Sequence, residues 1–213
     1  MFNKKTILVT IACITMFAGG FFGEQLTRPL LPVNFIAEEA PDAVVFEAGS
    51  GSEVSVELIR IISVTKWIDG DTEHVTYLPS GPITDKLRLL EIDTPERGEP
   101  LYSEASDALK HLIESAKAVY IEFPRESGER TGERDKYGRL LCYLVADGGR
   151  NLNVEMVRQG WSTYWTKYSR NKKYESAFIA AEKEAKAAKR GIWGLSPEQF
   201  KKVDAPKKTK EKK

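Results

Sequence analysis

Between residues 54 and 145 the chain is interrupted at short intervals by Gly, Pro and Asp, and the runs left between these breaks are short and rich in Val, Ile, Leu and Tyr. Such punctuation leaves little room for long helices and favours short strands. Residues 54–68, 73–78, 86–92, 119–123 and 140–145 read as five strands. Asp69-Gly70 between the first two is a hairpin signal. Pro79-Ser80-Gly81-Pro82 turns the chain into the third, Pro95 denies that strand a further ladder donor, and Asp147-Gly148-Gly149 turns it after the fifth. Helical spacing recurs at Ala105, Ala108, Leu109 and Leu112 within residues 102–116, and a shorter helix over 153–159 ends at Gly160. A third, over 174–190, carries the stripe Tyr174, Phe178, Ala181, Ala185, with Gly191 placed as its C-cap. This order predicts an α+β fold, a five-stranded β-barrel of OB type with about three helices packed outside it.

Both ends differ from this central domain, which is expected over residues 53–196. Lys4 and Lys5 precede an uncharged apolar stretch from Ile7 to Gly23, so residues 1–23 are expected to be a signal peptide or a membrane anchor, with the remainder exported. Residues 24–52, with Pro29, Pro32, Pro41, several acids and Gly49-Ser50-Gly51-Ser52, read as a linker. Residues 197–213, crowded with lysine, read as a disordered tail. The 32 Lys and Arg against 31 Asp and Glu give a net charge of +1, so any polyanionic partner must be held by local rather than overall charge. Two cysteines, Cys13 and Cys142, exclude a disulfide scaffold or a zinc ribbon.

Chemistry gathers where strands meet loops. Asp71 lies in the first hairpin turn and Asp93 just beyond the third strand. Brought together, two carboxylates and a backbone carbonyl form a hard-oxygen site for Ca²⁺ or Mg²⁺. Glu96 could then hold and deprotonate a water, while Arg88 and Arg139 offer forked donors to phosphate oxygens. One geometric demand follows. Arg88 and Asp93 are an odd number of residues apart and would point to opposite faces of an unbroken strand, so the strand must end or bend between them.

Three segments carry a resemblance: Ile68-Asp69-Gly70-Asp71-Thr72, then Arg88-Leu89-Leu90-Glu91-Ile92-Asp93-Thr94-Pro95-Glu96, then Asp135-Lys136-Tyr137-Gly138-Arg139. In this order they resemble the motifs of the staphylococcal nuclease (thermonuclease) family, and the resemblance runs from about residue 65 to residue 194, ending in Gly191-Ile192-Trp193-Gly194. It implies an OB-fold barrel with three helices that cleaves DNA and RNA and leaves 3′-phosphates. It further implies that Asp71, Asp93 and the Thr94 carbonyl bind Ca²⁺, that Glu96 orders the attacking water, and that Arg88 and Arg139 hold the scissile phosphate. The loop after Glu96 is shorter than in the staphylococcal enzyme, and Gly132-Glu133-Arg134 lengthens the approach to the third motif. Counterparts of the family's nucleotide-packing tyrosines fall among Tyr164, Trp165 and Tyr168.

Other residues have plainer readings. Asp69 suits a turn, Cys142 a buried filler, and neither His74 nor His111 is needed by this chemistry. The aromatic group Trp161, Tyr164, Trp165 and Tyr168 fits either base stacking or core packing. The expectation is therefore an exported or anchored nuclease acting on DNA and RNA; the alternative is a non-catalytic OB-fold module that only binds nucleic acid.

Overall fold

The computed structural model of the chain describes residues 43–46, 56–77, 82–124, 132–167 and 170–204. The expected signal or anchor at residues 1–23, most of the expected linker, and residues 205–213 of the expected tail lie outside them, as does Tyr168. Among the described residues no helix is long and apolar enough to cross a membrane.

Strands β1 (Ala43–Phe46), β2 (Val56–Trp67), β3 (Thr72–Tyr77), β4 (Ile83–Leu89), β5 (Val119–Glu122), β6 (Leu140–Ala146) and β7 (Arg150–Asn151) form one sheet. Its helices are α1 (Tyr102–Glu114), α2 (Leu152–Arg158), α3 (Lys172–Ala187) and α4 (Pro197–Val203). The sheet closes on itself because β2 pairs antiparallel with both β3 and β5, β3 pairs with β4, β4 runs parallel to β6, and β6 returns to β5. This is a closed five-stranded barrel of OB type, with helices on its outside. Alternation explains the inside and outside of β3 and β4: Val75, Tyr77, Leu87 and Leu89 are buried, whereas His74 is half-buried and Lys86 exposed. Helix α1 buries Ala105, Leu109 and Leu112, positions that share one face.

Two glycines join the helices. Helix α2 ends in a Schellman arrangement, Trp161 N–H donating to the Met156 carbonyl at 2.9 Å and Gly160 N–H to that of Val157 at 3.0 Å, with Gly160 at φ +81°. Gly191 does not cap α3, which stops at Ala187 with Ala188 as its cap. Gly191 instead opens a 3-10 turn, Gly191–Gly194, that lies against Gly160: a Cβ on Gly191 would come within 2.2 Å of the Gly160 carbonyl oxygen.

Three expected boundaries are corrected. Residues 43–46, assigned to the linker, form β1, because Ala43-Val44-Val45-Phe46 pairs antiparallel with Val56 to Ile59. Residues 197–203, assigned to the tail, form α4, a fourth helix beyond the three expected. Ser196 and Gln199 make a capping box there, Val203 is buried, and the Phe200 ring lies 5.2 Å from that of Trp193. The third predicted strand begins at Ile83 and stops at Leu89 rather than spanning 86–92. The stop is a bend: Glu91 takes φ +62°, which ends the pleat three residues after Arg88 and meets the demand set by the odd Arg88–Asp93 separation.

Candidate active site

The β2–β3 turn is built to present Asp71. Ile68 and Asp69 N–H groups both donate to the Thr72 carbonyl, Asp71 N–H donates to Asp69 Oδ1 at 3.1 Å, and Tyr102 Oη at the start of α1 donates to the Ile68 carbonyl at 2.6 Å. Asp69 thus performs the turn role expected of it. Gly70 is required by proximity, since a Cβ there would sit 2.9 Å from the Thr94 methyl and 3.1 Å from the Ala105 carbonyl oxygen.

Thr94 closes over this turn. Its N–H and Oγ1 donate to Asp71 Oδ2 at 3.0 and 3.3 Å, while Asp71 Oδ1 accepts from Thr72 Oγ1 at 3.0 Å. Arg88, on β4 directly across from Thr72, places Nη1 3.2 Å from Asp71 Oδ1 and Nη2 3.4 Å from Asp93 Oδ1. Two carboxylates from separate turns therefore meet at one guanidinium. Ser162 Oγ, accepting from Asp93 N–H at 2.7 Å, fixes the backbone of the second.

Arg139 reaches the same place from the loop before β6. Its Nη1 donates to Thr72 Oγ1 at 3.1 Å, and Asp135 holds it from behind through Nε at 2.8 Å and Nη2 at 2.7 Å. Asp135 also accepts the N–H groups of Tyr137 and Arg139, so one carboxylate shapes the turn and aims the guanidinium. Of the sequence-predicted residues, Asp71, Arg88, Asp93, Thr94 and Arg139 thus form one connected set. Glu96 lies two residues beyond Thr94 with its side chain exposed, and its N–H donates to Glu99 Oε2 at 2.7 Å.

Sequence reading overlooked Thr72, Asp135 and Glu73. The first two lie inside the quoted motifs, Thr72 directly after Asp71 and Asp135 four residues before Arg139. Glu73 is fully buried with neither carboxylate oxygen hydrogen-bonded, and its parity with Val75 and Tyr77 marked it as inward-facing. The aromatic group divides: Tyr164 stacks on Phe178 at 4.9 Å and Trp161 packs against the core, whereas the Trp165 ring lies 5.9 Å from the Arg88 guanidinium. Cys142 is free and buried.

The electrostatics favour a cation. Burial, and then the Asp71 charge, push the Asp69 carboxyl up to about 7. Burial followed by Asp69 and Asp71 pushes the Glu73 carboxyl well above its usual value, against the opposing pull of Arg88. Setting those two carboxyls aside, Asp71, Asp93 and Asp135 outnumber Arg88 and Arg139 by one, an excess of negative charge that a cation would relieve. Among the described residues no group of three or more His, Cys, Asp or Glu is arranged to hold a metal. Asp71 and Asp93 alone suit an oxygen-seeking cation that completes its shell with carbonyl, water and phosphate oxygens.

Residues 86–194 match the family model described as staphylococcal nuclease homologue. Asp71 lies before that span, so its place in the site rests on the geometry above. The chain is 37% identical over 138 residues to the SPbeta prophage-derived endonuclease YokF of Bacillus subtilis, an alignment covering 62% of this chain and 43% of that protein. It is 35% identical over 158 residues to endonuclease YncB of Bacillus subtilis, covering 70% of each. To the thermonuclease of Staphylococcus hyicus it is 29% identical over 171 residues, 77% of this chain and 89% of that protein.

Proposed function

The chain belongs to the staphylococcal nuclease homologue family, and from that premise we propose that it is a calcium-dependent nuclease hydrolysing DNA and RNA phosphodiester bonds to leave 3′-phosphates, exported by or tethered through residues 1–23. The observation that carries this reading is the convergence of Asp71 and Asp93 on Arg88, with Arg139 joined to the same group through Thr72.

Arg88 and Arg139 clamp the non-bridging oxygens of the scissile phosphate, and their charge meets what builds on those oxygens in a five-coordinate transition state. Glu96, exposed two residues beyond Thr94, accepts a proton from the attacking water. Asp71, Asp93 and the Thr94 carbonyl would hold the calcium ion, whose chemistry is to polarise a phosphoryl oxygen and acidify bound water. Recognition through phosphate rather than base edges makes cleavage independent of sequence.

Digestion of end-labelled single-stranded DNA and RNA with Ca²⁺, Mg²⁺ or chelator, followed by end-group analysis, tests the proposal. Cleavage with Ca²⁺ to 3′-phosphates, abolished by chelator, is expected. Glu96→Gln should lower kcat roughly 10²- to 10³-fold with little change in KM. A protein that retards nucleic acid but never shortens it is instead a binding module. Intact-mass measurement of cell-derived protein tests whether residues 1–23 are removed.

A further inference from the structure

The outer face of β3 and β4 does not end at the active site. Thr72 and Arg88 are cross-strand partners, and the next pair on the same face is His74 and Lys86. Lys66 on β2 is the partner of His74 in turn, so Lys66, His74 and Lys86 form a row across three strands. Lys66 and Lys86 are exposed and His74 is half-buried. Neither lysine forms an ion pair among the described residues, in contrast to Arg88, Arg134 and Arg139, each of which does. The inward positions on either side of His74, Glu73 and Val75, are completely buried, so Glu73 offers this row no surface carboxylate. Burial first, and then Lys86 and Lys66, lower the His74 pKa, which places the histidine within the field of both lysines. Two residues along a strand is about 7 Å, a step comparable with the interval between neighbouring phosphates of an extended single strand. Beyond His74 and Lys86 the face becomes neutral, with Thr76 and Thr84 hydroxyls 3.0 Å apart.

We propose that Lys66, His74 and Lys86 form a second phosphate-binding row, which holds the phosphodiester adjacent to the one clamped by Arg88 and Arg139 and so lays a single-stranded polynucleotide across β4, β3 and β2. This inference rests on the nuclease reading for its direction, and it adds a subsite and a strand path. The two lysines supply point charges without base readout, so the row contributes affinity and salt dependence without sequence preference.

The test is fluorescence anisotropy of the full chain with a labelled single strand of about ten nucleotides, in chelator so that nothing is cut, over a range of salt. Lys66→Gln/Lys86→Gln should bind roughly tenfold more weakly, with a log–log salt slope about 1.4 shallower, because each lysine–phosphate contact on a single strand contributes ~0.7. Lys66→Arg/Lys86→Arg should retain the wild-type slope. With Ca²⁺ added, the KM penalty of the glutamine variant should be larger for the long strand than for a dinucleotide. An unchanged slope, or an equal penalty on both lengths, overturns the row. If the wild type cuts DNA while the slope is unchanged, the nuclease reading stands without the row; if the slope falls as stated but the wild type never cuts, the row stands and the nuclease reading fails.

Discussion

Two buried glutamates occupy opposite electrostatic situations in this barrel. Glu122 on β5, 4% exposed, is matched on both oxygens: Lys173 Nζ lies 2.7 Å from Oε1, and Tyr174 Oη donates to Oε2 at 2.7 Å. Neither carboxylate oxygen of Glu73 on β3 has a hydrogen-bond partner, and Arg88, whose charge opposes the rise in the Glu73 pKa, is already committed to Asp71 and Asp93. The first ties the start of α3 to the sheet and is a structural device. The second is a cost, because a buried carboxyl without a partner forfeits its hydration for nothing in return. Of these two, the glutamate away from the active site is balanced and the one beside Asp71 and Thr72 is not.

The largest effects should come from removing the cation that pairs with both Asp71 and Asp93. Arg88→Ala removes the guanidinium that pairs with both Asp71 and Asp93 and with it a phosphate donor, so kcat/KM on single-stranded DNA should fall by at least about 10³-fold. Glu122→Ala should leave kcat/KM per folded molecule within a factor of a few, while lowering unfolding free energy by about 2 kcal/mol through two charge-assisted bonds. Steady-state kinetics and denaturant melts on both variants separate the two roles. A slow Glu122→Ala enzyme with normal stability would erase the contrast.

These contrasts differ in how visible they were in the amino-acid pattern. Alternation and the Asp69-Gly70 turn were enough to order the five barrel strands, and the odd spacing of Arg88 and Asp93 required the bend found at Glu91, although nothing about a glutamate announces φ +62°. Strand β1 was not legible because its residues become a strand only by pairing with Val56 to Ile59 across the Gly-Ser stretch. Helix α4 was masked by Lys201 and Lys202, which stand between the two positions, Phe200 and Val203, that pack. In the site, charged residues at motif positions were legible; the groups that aim them, Thr72, Asp135 and Ser162, were not, because a hydroxyl or turn carboxylate gains its role only from what folding places beside it.

A smaller effect, and one that sharpens the comparison directly, is expected at Glu73. Its folded-state pKa lies above the ordinary value of 4.5, so the folded protein retains a proton that the unfolded chain releases. Stability from this group is therefore fully present below about pH 4.5 and declines as pH rises towards the folded-state value. Glu73→Val, which removes an unpartnered buried carboxyl, should stabilise the fold by about 1–3 kcal/mol near neutral pH, with a smaller gain at pH below 4.5. Urea melts at acidic and neutral pH give both values. A gain independent of pH would mean that the carboxyl titrates normally and that the two glutamates are alike.

The smallest effect belongs to a carboxylate at the rim, where solvent softens both gain and loss. Asp85 on β4 accepts from Arg134 Nη1 at 2.7 Å and Nη2 at 2.6 Å, and Arg134 Nη1 also donates to the Gly138 carbonyl at 2.9 Å. Hydrogen bonding by Arg134 lowers the Asp85 carboxyl below its usual range despite partial burial. Because Arg134 is nearly half exposed, the pair should contribute only about 0.5–1 kcal/mol to stability. Its other consequence is positional, since Arg134 and Gly138 bracket the turn that delivers Arg139. Arg134→Gln should therefore leave the melting curve almost unchanged while raising KM roughly two- to fivefold, as expected when a phosphate donor is less well held. Asp85→Asn, which weakens the same pair from the β4 side, should reproduce the KM change. If Arg134→Gln alters KM and Asp85→Asn does not, the arginine meets the substrate itself, and the rim belongs with the unbalanced region rather than with the balanced one.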